Sequence, residues 1–97
     1  MKLSTIAEKA AKELEWGILK YYYNGKHCMF GAIIHYRLGH ERCLKADSTI
    51  IIDYSLDALT MSKKELEMIS IDKILTKNDC ERWNFTRFAK EFKKLGI

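Results

Sequence analysis

Proline is absent from the 97-residue sequence, and glycine occurs only five times. No segment is rich in glycine and serine, and no repeat with a period of about 20–50 residues is visible, which argues against linkers and repeat arrays. The longest purely apolar stretches, such as Ile50-Ile51-Ile52, are far below the ~18 residues that a membrane span needs. We therefore expect a single domain over residues 1–97 with one core, because domains usually need about 100 residues each.

Cysteine is scarce, and the three that occur, Cys28, Cys43 and Cys80, form an odd set. No N-terminal stretch has the charged-then-apolar pattern of a signal peptide. We therefore expect reduced thiols and a cytoplasmic location. A chain of this length buries only about 60–65% of its unfolded surface, so binding to a partner, or to a second copy in a homo-oligomer, would add stability.

Charge is only mildly one-sided, since 17 Lys and Arg stand against 13 Asp and Glu, a formal net charge of +4. Most of the excess lies in residues 61–97, which carry nine basic and six acidic side chains. It is compatible with an acidic partner, whether protein or nucleic acid, but falls short of the basic stripe of a dedicated DNA-binding protein. A solvated surface explains the same excess, and the composition leaves both interpretations open.

Apolar residues recur at three- and four-residue steps, which predicts a mainly helical domain of four to five helices. The first helix is expected to start at Thr5, which has capping-box spacing to Glu8, and to stop at Gly17. A buried central helix is predicted over Met29 to Leu38, because that segment is apolar nearly all round. It should end at Gly39.

Further helices are predicted in the second half of the chain. Asp47-Ser48-Thr49 offers an N-cap to the next residues, although three consecutive isoleucines keep a strand open there. Ser62 and Glu65 have capping-box spacing and should begin another short helix. Asn84 should cap the last helix, which carries phenylalanines on one stripe, basic residues on the opposite arc, and a glycine at its end.

The dipeptide Asn24-Gly25 supports two structures. It suits the positive backbone angles of a type I′ turn, and the flanking aromatic residues favour a short β-hairpin. If the first helix instead continued to Tyr23, the same dipeptide would be its C-cap. We favour the hairpin. Either structure exposes at least one ring of Tyr21-Tyr22-Tyr23, and an exposed tyrosine near a turn is a favoured anchor for protein contacts, whereas packing across a hairpin is the equal alternative.

Cys28 lies at or just before the predicted start of the central helix, where the helix dipole lowers the pKa of a thiol. A nucleophilic arrangement is conceivable there, with His35 or His27 as base and Asp79 or Asp53 as the orienting group. The residues after Cys28 are apolar, however, and suit a small buried thiol. We favour the core interpretation and predict no catalytic residue.

A metal site is the other chemistry considered for this region. His27, Cys28, His35, His40 and Cys43 lie within seventeen positions, and two thiolates with two imidazoles satisfy tetrahedral zinc. The spacing matches no zinc-finger pattern, since only His40 and Cys43 have close ligand spacing. We therefore predict no metal and no other cofactor.

The basic face of the last helix is the candidate nucleic-acid surface, because such sites combine basic side chains with aromatic stacking surfaces. Most aromatic residues there lie on the apolar stripe, so core packing and solvated lysines are the alternative. The predicted binding residues are the three tyrosines and four basic residues of this helix: Tyr21, Tyr22, Tyr23, Arg87, Lys90, Lys93 and Lys94. Asn78-Asp79, at the end of a predicted helix, is expected to satisfy local backbone groups through Asx turns.

Several segments, taken in order, resemble a family of small uncharacterised bacterial and phage proteins. That family has a Cys-Leu-x-Gly-Ala motif, a Trp-Asn-Asp motif and a closing amphipathic helix. The matching positions are Trp16-Gly17, Cys28-Met29-Phe30-Gly31-Ala32, Asn78-Asp79, and Thr86 with Phe88, Phe92 and Leu95. Lys77 stands where the family has tryptophan, and residues 36–68 have no clear counterpart. The resemblance implies a phage or mobile-element context and carries over no catalytic residue.

These observations favour a non-catalytic binding protein that binds and modulates or inhibits a host protein or nucleoprotein complex, such as a bacterial immune complex. A nucleic-acid-binding module that uses the last helix is the alternative. A cysteine-dependent enzyme or a small metal site at Cys28 is the second alternative.

Overall fold

The computed structural model describes residues 1–46 and 60–97. The fold is mainly helical with a short β-hairpin, as predicted; a third strand extends the hairpin into a small sheet, and the described residues form six helices where four to five were predicted. The predicted element after Asp47-Ser48-Thr49 lies outside the described residues. The helices and strands are α1 (Leu3–Glu13), β1 (Glu15–Trp16), β2 (Tyr22–Tyr23), β3 (Lys26–His27), α2 (Met29–Leu38), α3 (His40–Ala46), α4 (Lys63–Met68), α5 (Ile71–Asp79) and α6 (Phe85–Leu95).

The first helix starts and ends earlier than its sequence predicts. Lys2 is the N-cap of α1 and no side chain caps it, so the capping box predicted at Thr5 is wrong. The Ser4 N–H instead donates to the carbonyl oxygen of Ile97 at 3.1 Å. The far end of the chain therefore satisfies a free amide of the first turn, as a cap would. α1 ends at Glu13, because the following residues enter the sheet.

Three two-residue strands form a sheet in the order β1-β3-β2. β2 and β3 are antiparallel, and the turn between them has φ values of 52° at Asn24 and 82° at Gly25, the positive angles of a type I′ turn. The predicted hairpin is confirmed, and a first helix continuing to Tyr23 is wrong. β1 pairs in parallel with β3 and aligns Trp16 with His27. Two residues are too few to show the alternation that would have predicted β1.

The core forms where α1 packs against α6 and α2, and where α2 meets α3 and α5. α2 is buried over residues 29–34 and ends at Gly39, as predicted. α6 begins with the Asn84 side chain accepting from the Arg87 N–H at 2.9 Å, and ends at Gly96 with φ 75°. Three phenylalanines of α6 lie in the core: Phe85, Phe88 and Phe92. Within residues 1–46 and 60–97, no helix has both the length and the apolar character needed to cross a membrane.

An arginine fork joins α2 to α4. Arg37 donates to both carboxylate oxygens of Glu65, at 2.7 and 2.8 Å, and to the carbonyl oxygens of Thr60 at 2.6 Å and Met1 at 2.8 Å. Glu65 also accepts from the Ser62 N–H, which confirms the predicted capping box. The Arg37 hydrogen bonds are the main reason that the pKa of Glu65 is lowered. Paired charges with this bidentate geometry stabilise the ionised carboxylate.

We expect the Glu65→Gln variant to lose about 1–3 kcal/mol of the free energy of unfolding at pH 7, because glutamine keeps the capping acceptor but loses the charge that Arg37 binds. The folded pKa of Glu65 lies below its ordinary value of 4.5. Its contribution is therefore complete above about pH 4.5 and is lost as the pH falls through the folded pKa. Urea unfolding of both proteins at several pH values should show their difference shrinking in acid.

Glu67→Gln is the matched control, since Glu67 is an exposed residue of the same helix. Its effect should stay within about 0.5 kcal/mol. A Glu65→Gln effect that is the same at pH 7 and in acid would contradict the charge-based explanation.

Candidate functional site

Asn78 is the centre of a buried hydrogen-bond network next to the hairpin. Its side chain is 0% exposed, and Oδ1 accepts from Trp16 Nε1 and from the Met29 N–H, both at 2.9 Å. Nδ2 donates to the Gly17 carbonyl oxygen at 3.0 Å and to Asp79 Oδ1 at 2.8 Å. The expectation of purely local Asx turns is therefore wrong, because most of these partners are distant in sequence.

Asp79 extends the network to a strained surface loop. Its Oδ1 also accepts from the Leu19 N–H at 2.9 Å, and Leu19 has φ 72°. A left-handed backbone is unfavourable for leucine, and it persists only where the surroundings enforce it. The Leu19 side chain is nevertheless 75% exposed. Asn78 and Asp79 thus hold a costly backbone conformation that presents an apolar side chain to solvent.

Gly31 allows the same loop to pass directly over α2. A Cβ atom built on Gly31 would lie 1.8 Å from the carbonyl oxygen of Tyr21. That oxygen accepts from the Cys28 N–H at 3.3 Å. Trp16 and Gly17 lie in the same region, because the Asn78 side chain bonds to Trp16 Nε1 and to the Gly17 carbonyl oxygen.

Cys28 is a structural residue of the core in this arrangement. It is the N-cap of α2, where its thiol accepts from the Gly31 N–H at 3.3 Å, and it is 1% exposed. Burial raises the pKa of Cys28 to about 12, so the predicted lowering by the helix dipole is wrong. Within the described residues no hydrogen bond joins Cys28 to a histidine, and Asp53 lies outside them. Cys43 is also buried and donates to the Gly31 carbonyl oxygen at 3.4 Å.

The three predicted tyrosine anchors have different surroundings. The Tyr21 ring packs edge-on against Phe30, with centroids 5.2 Å apart. The Tyr22 ring packs edge-on against His27 at 4.8 Å and His40 at 5.1 Å. Tyr23, by contrast, is 63% exposed. Across the hairpin, Tyr22 pairs with His27 and Tyr23 pairs with Lys26, so these pairs lie on opposite faces of the strands.

A groove of about 300 Å³ opens on the Tyr23 side of the hairpin. The Lys20 ammonium lies 4.8 Å from the centroid of the Tyr23 ring, within the range of a cation–π contact. The groove is lined by Trp16, Gly17, Ile18, Lys20, Tyr23, Lys26 and Arg82. We call these residues, together with Leu19, the hairpin surface.

The predicted basic residues of α6 are mostly paired with neighbouring acids. Arg87 Nε lies 3.2 Å from Glu91 Oε1, and Lys94 Nζ lies 3.4 Å from the same oxygen. Lys93 forms an ion pair with Glu8 of α1. Lys90 has no ion pair within the part of the chain that the structure describes. The basic arc of α6 is therefore exposed but largely neutralised by its own surroundings.

The three histidines of the chain meet on the Tyr22 side of the hairpin. His27 is in β3, His35 is in α2 and His40 begins α3, and one ring nitrogen from each lies within 4.8 Å of the others. Neither cysteine belongs to this cluster, so the arrangement differs from the two-thiolate set considered from the sequence. Sequence spacing did not reveal it, because β3 and the α2–α3 turn bring the rings together only in the folded chain.

His27 is the most unusual of these residues. It is 3% exposed, and neither ring nitrogen has a hydrogen-bond partner within the described residues. Burial, followed by the nearby His35 and His40, lowers the pKa of His27 to about 4. Burial and His40 also lower the pKa of His35. Both imidazoles are therefore neutral at neutral pH, the form that binds metal ions.

No family model, curated protein or solved structure matches this chain.

Proposed function

We propose that this chain is a non-catalytic binding protein whose hairpin surface contacts an acidic segment of a partner protein. The observation that carries the proposal is the charge of the groove lining. It contains three cations, Lys20, Lys26 and Arg82, and among the described residues it contains no carboxylate. Such a lining favours carboxylate-bearing partners through complementary charge. Tyr23 and Leu19 add exposed apolar area beside these cations.

The backbone of the hairpin surface is ordered in the absence of a partner. Asp79 fixes the Leu19 backbone, and Asn78 fixes Gly17, through the hydrogen bonds described above. A pre-ordered surface loses less conformational entropy on binding than a mobile one. Maintaining a left-handed leucine at an exposed position is also typical of functional segments.

A protein partner is favoured over a nucleic acid. Trp16, Tyr23 and the three cations of the groove have the composition of a single-stranded nucleic-acid site as well, but the exposed aliphatic side chain of Leu19 offers no stacking surface and favours a polypeptide. The exposed side chains of Leu19 and Tyr23 are suited to contacts with apolar side chains of a polypeptide. The alternative on α6 is weaker, because three of its four basic side chains already have acidic partners: Arg87, Lys93 and Lys94.

The family resemblance supports a host protein or nucleoprotein complex as the partner class, in a phage or mobile-element context. Binding would then modulate or inhibit that host complex. A cytoplasmic site of action is part of the proposal, because all three cysteines are free.

The test is charge reversal on two surfaces. The Lys20→Glu, Lys26→Glu, Arg82→Glu triple variant should bind a fluorescent acidic peptide, rich in glutamate and containing leucine, at least about tenfold more weakly than the wild type. Trp16 lines the groove, so tryptophan fluorescence provides a second readout of the same binding. The α6 variant Lys90→Glu, Lys93→Glu, Lys94→Glu changes the same number of charges and should bind the peptide almost normally.

The same proteins would then be used to capture partners from a bacterial lysate treated with nuclease. We expect an acidic protein that the wild type and the α6 variant retain and the hairpin-surface variant loses. Peptide binding that only the α6 variant loses would contradict the proposal. Capture that nuclease abolishes would favour the nucleic-acid alternative instead.

A further inference from the structure

The cluster of three histidines has the composition of a metal site. Imidazole nitrogen is a preferred ligand of Zn²⁺, and three imidazoles with one open position form a known zinc coordination set. The sequence contains only three histidines, and all of them lie in this cluster: His27, His35 and His40.

The distance between two of the rings already suits a bound ion. His35 Nδ1 lies 3.2 Å from His40 Nδ1. Two nitrogens that each lie about 2.0–2.1 Å from a tetrahedral zinc ion are separated by about 3.3 Å. Without metal, one of these two rings must donate an N–H to the other. A zinc ion would instead bind the lone pairs of both Nδ1 atoms.

His27 provides the second, independent observation. It is almost fully buried, its ring centroid lies 5.1 Å from that of His35 and 5.9 Å from that of His40, and both of its nitrogens lack partners in the described residues. Buried polar groups in folded proteins nearly always have a hydrogen-bond partner or a bound ion. An imidazole beside two others, with no partner of its own, is therefore the group that a metal ion would satisfy.

The backbone also keeps two of the ligands together. Gly39 has φ 100° and ψ 159°, a conformation that is almost confined to glycine, and its N–H donates to the His35 carbonyl oxygen at 3.1 Å. This turn places the first residue of α3 against the last turn of α2. Tyr36 packs edge-on against His35, and Tyr22 against the other two rings, so aromatic side chains support the imidazoles.

We propose that His27, His35 and His40 bind one Zn²⁺ ion, with a fourth coordination position left for water or for a group from a partner. The ion would join β3, α2 and α3. Cys28 and Cys43 take no part, because both thiols lie in the core and outside the cluster.

The test begins with protein freed of metal by a chelator and then titrated with Zn²⁺ in competition with a chromophoric chelator. We expect one equivalent per chain. His35→Ala and His40→Ala should each weaken binding by at least about 100-fold, since altering even the outer-shell partners of a metal site costs 10–100-fold. These are the more exposed ligands, so the variants should remain folded, which circular dichroism would verify.

Co²⁺ serves as a spectroscopic probe of the ligands. We expect visible absorption of a tetrahedral nitrogen-rich site, without the intense near-ultraviolet charge-transfer band that thiolate ligands produce. Cys80→Ser is the matched control, because Cys80 is the exposed thiol and lies outside the cluster, and this variant should bind Zn²⁺ normally. Failure to bind one equivalent, binding unchanged in both histidine variants, or binding lost with Cys80 would overturn the proposal.

Discussion

The Asn78→Ala variant is expected to unfold with a free energy about 3 kcal/mol lower than that of the wild type. Alanine would leave the buried Met29 N–H and the part-buried Trp16 Nε1–H without acceptors, and the part-buried Gly17 carbonyl oxygen without its donor. Each unsatisfied buried group costs about 1–3 kcal/mol, although local relaxation and water entry recover part of the sum. Urea unfolding measured by tryptophan fluorescence would determine the loss.

Asn78→Asp provides a sharper version of the same experiment. Aspartate keeps the Oδ acceptors but loses the Nδ2 donor, and it places a carboxylate against the Gly17 carbonyl oxygen and Asp79 Oδ1. We expect this variant to be at least as unstable as Asn78→Ala at pH 7. Thr76→Ala, an exposed position of α5, is the control and should change stability by less than about 0.5 kcal/mol. An Asn78→Asp variant as stable as the wild type would show that the donated hydrogen bonds contribute nothing.

The Gly31→Ala variant is the second change with a large expected effect. In an isolated helix this substitution stabilises by about 1 kcal/mol, because alanine is the better helix former. Here the added methyl group would lie 1.8 Å from the Tyr21 carbonyl oxygen and 2.6 Å from its carbonyl carbon. Both are backbone atoms, so the loop has to move away from α2. We expect a net loss of about 3 kcal/mol, measured as a lower midpoint of urea unfolding.

Gly96→Ala separates this steric effect from the general cost of replacing glycine. Gly96 has φ 75°, but nothing lies within 4 Å of a Cβ atom built there. Its replacement should therefore cost only the left-handed strain of alanine, about 1 kcal/mol. If Gly31→Ala proved as stable as the wild type, close passage of the loop over α2 would be excluded.

Elements determined by neighbouring residues were predictable from the sequence. Asn84 and Gly96 mark the ends of α6, Ser62 begins α4, and Asn24-Gly25 forms the turn between β2 and β3. In each case the responsible side chain acts on backbone groups within a few positions of itself. Periodicity and turn chemistry report interactions of this range.

Features that depend on distant contacts were missed. The start of α1 is satisfied by the carbonyl oxygen of Ile97, which no local pattern indicates. The side chain of Asn78 bonds to groups up to 62 residues away. Cys28 was correctly located at the start of α2. Its position at the helix N-terminus predicted a lowered thiol pKa, but its burial raises the pKa and is the larger effect.

The candidate site was partly predictable. At least one exposed ring was predicted for Tyr21-Tyr22-Tyr23, and the exposed ring is Tyr23. The cations Lys20, Lys26 and Arg82 were not predicted, because Arg82 is distant in sequence and joins the other two only around the groove. The sequence places the three histidines close together along the chain, but the metal set considered there combined two of them with two cysteines and was not favoured. Recognising the three-histidine cluster requires the register of β3, which places His27 beside His35 and His40.

The packing of α1 against α6 sets an order for folding. Part of the inner face of α1 is covered by a helix that begins about 70 residues after α1 has ended, so closing this contact carries the loop entropy of most of the chain. During synthesis α2 can cover its own share of the apolar face of α1 early, whereas the share that α6 covers stays unprotected until α6 has been made. The hairpin and its neighbouring helix can form earlier from local contacts, whereas completion of the core is a late, long-range event.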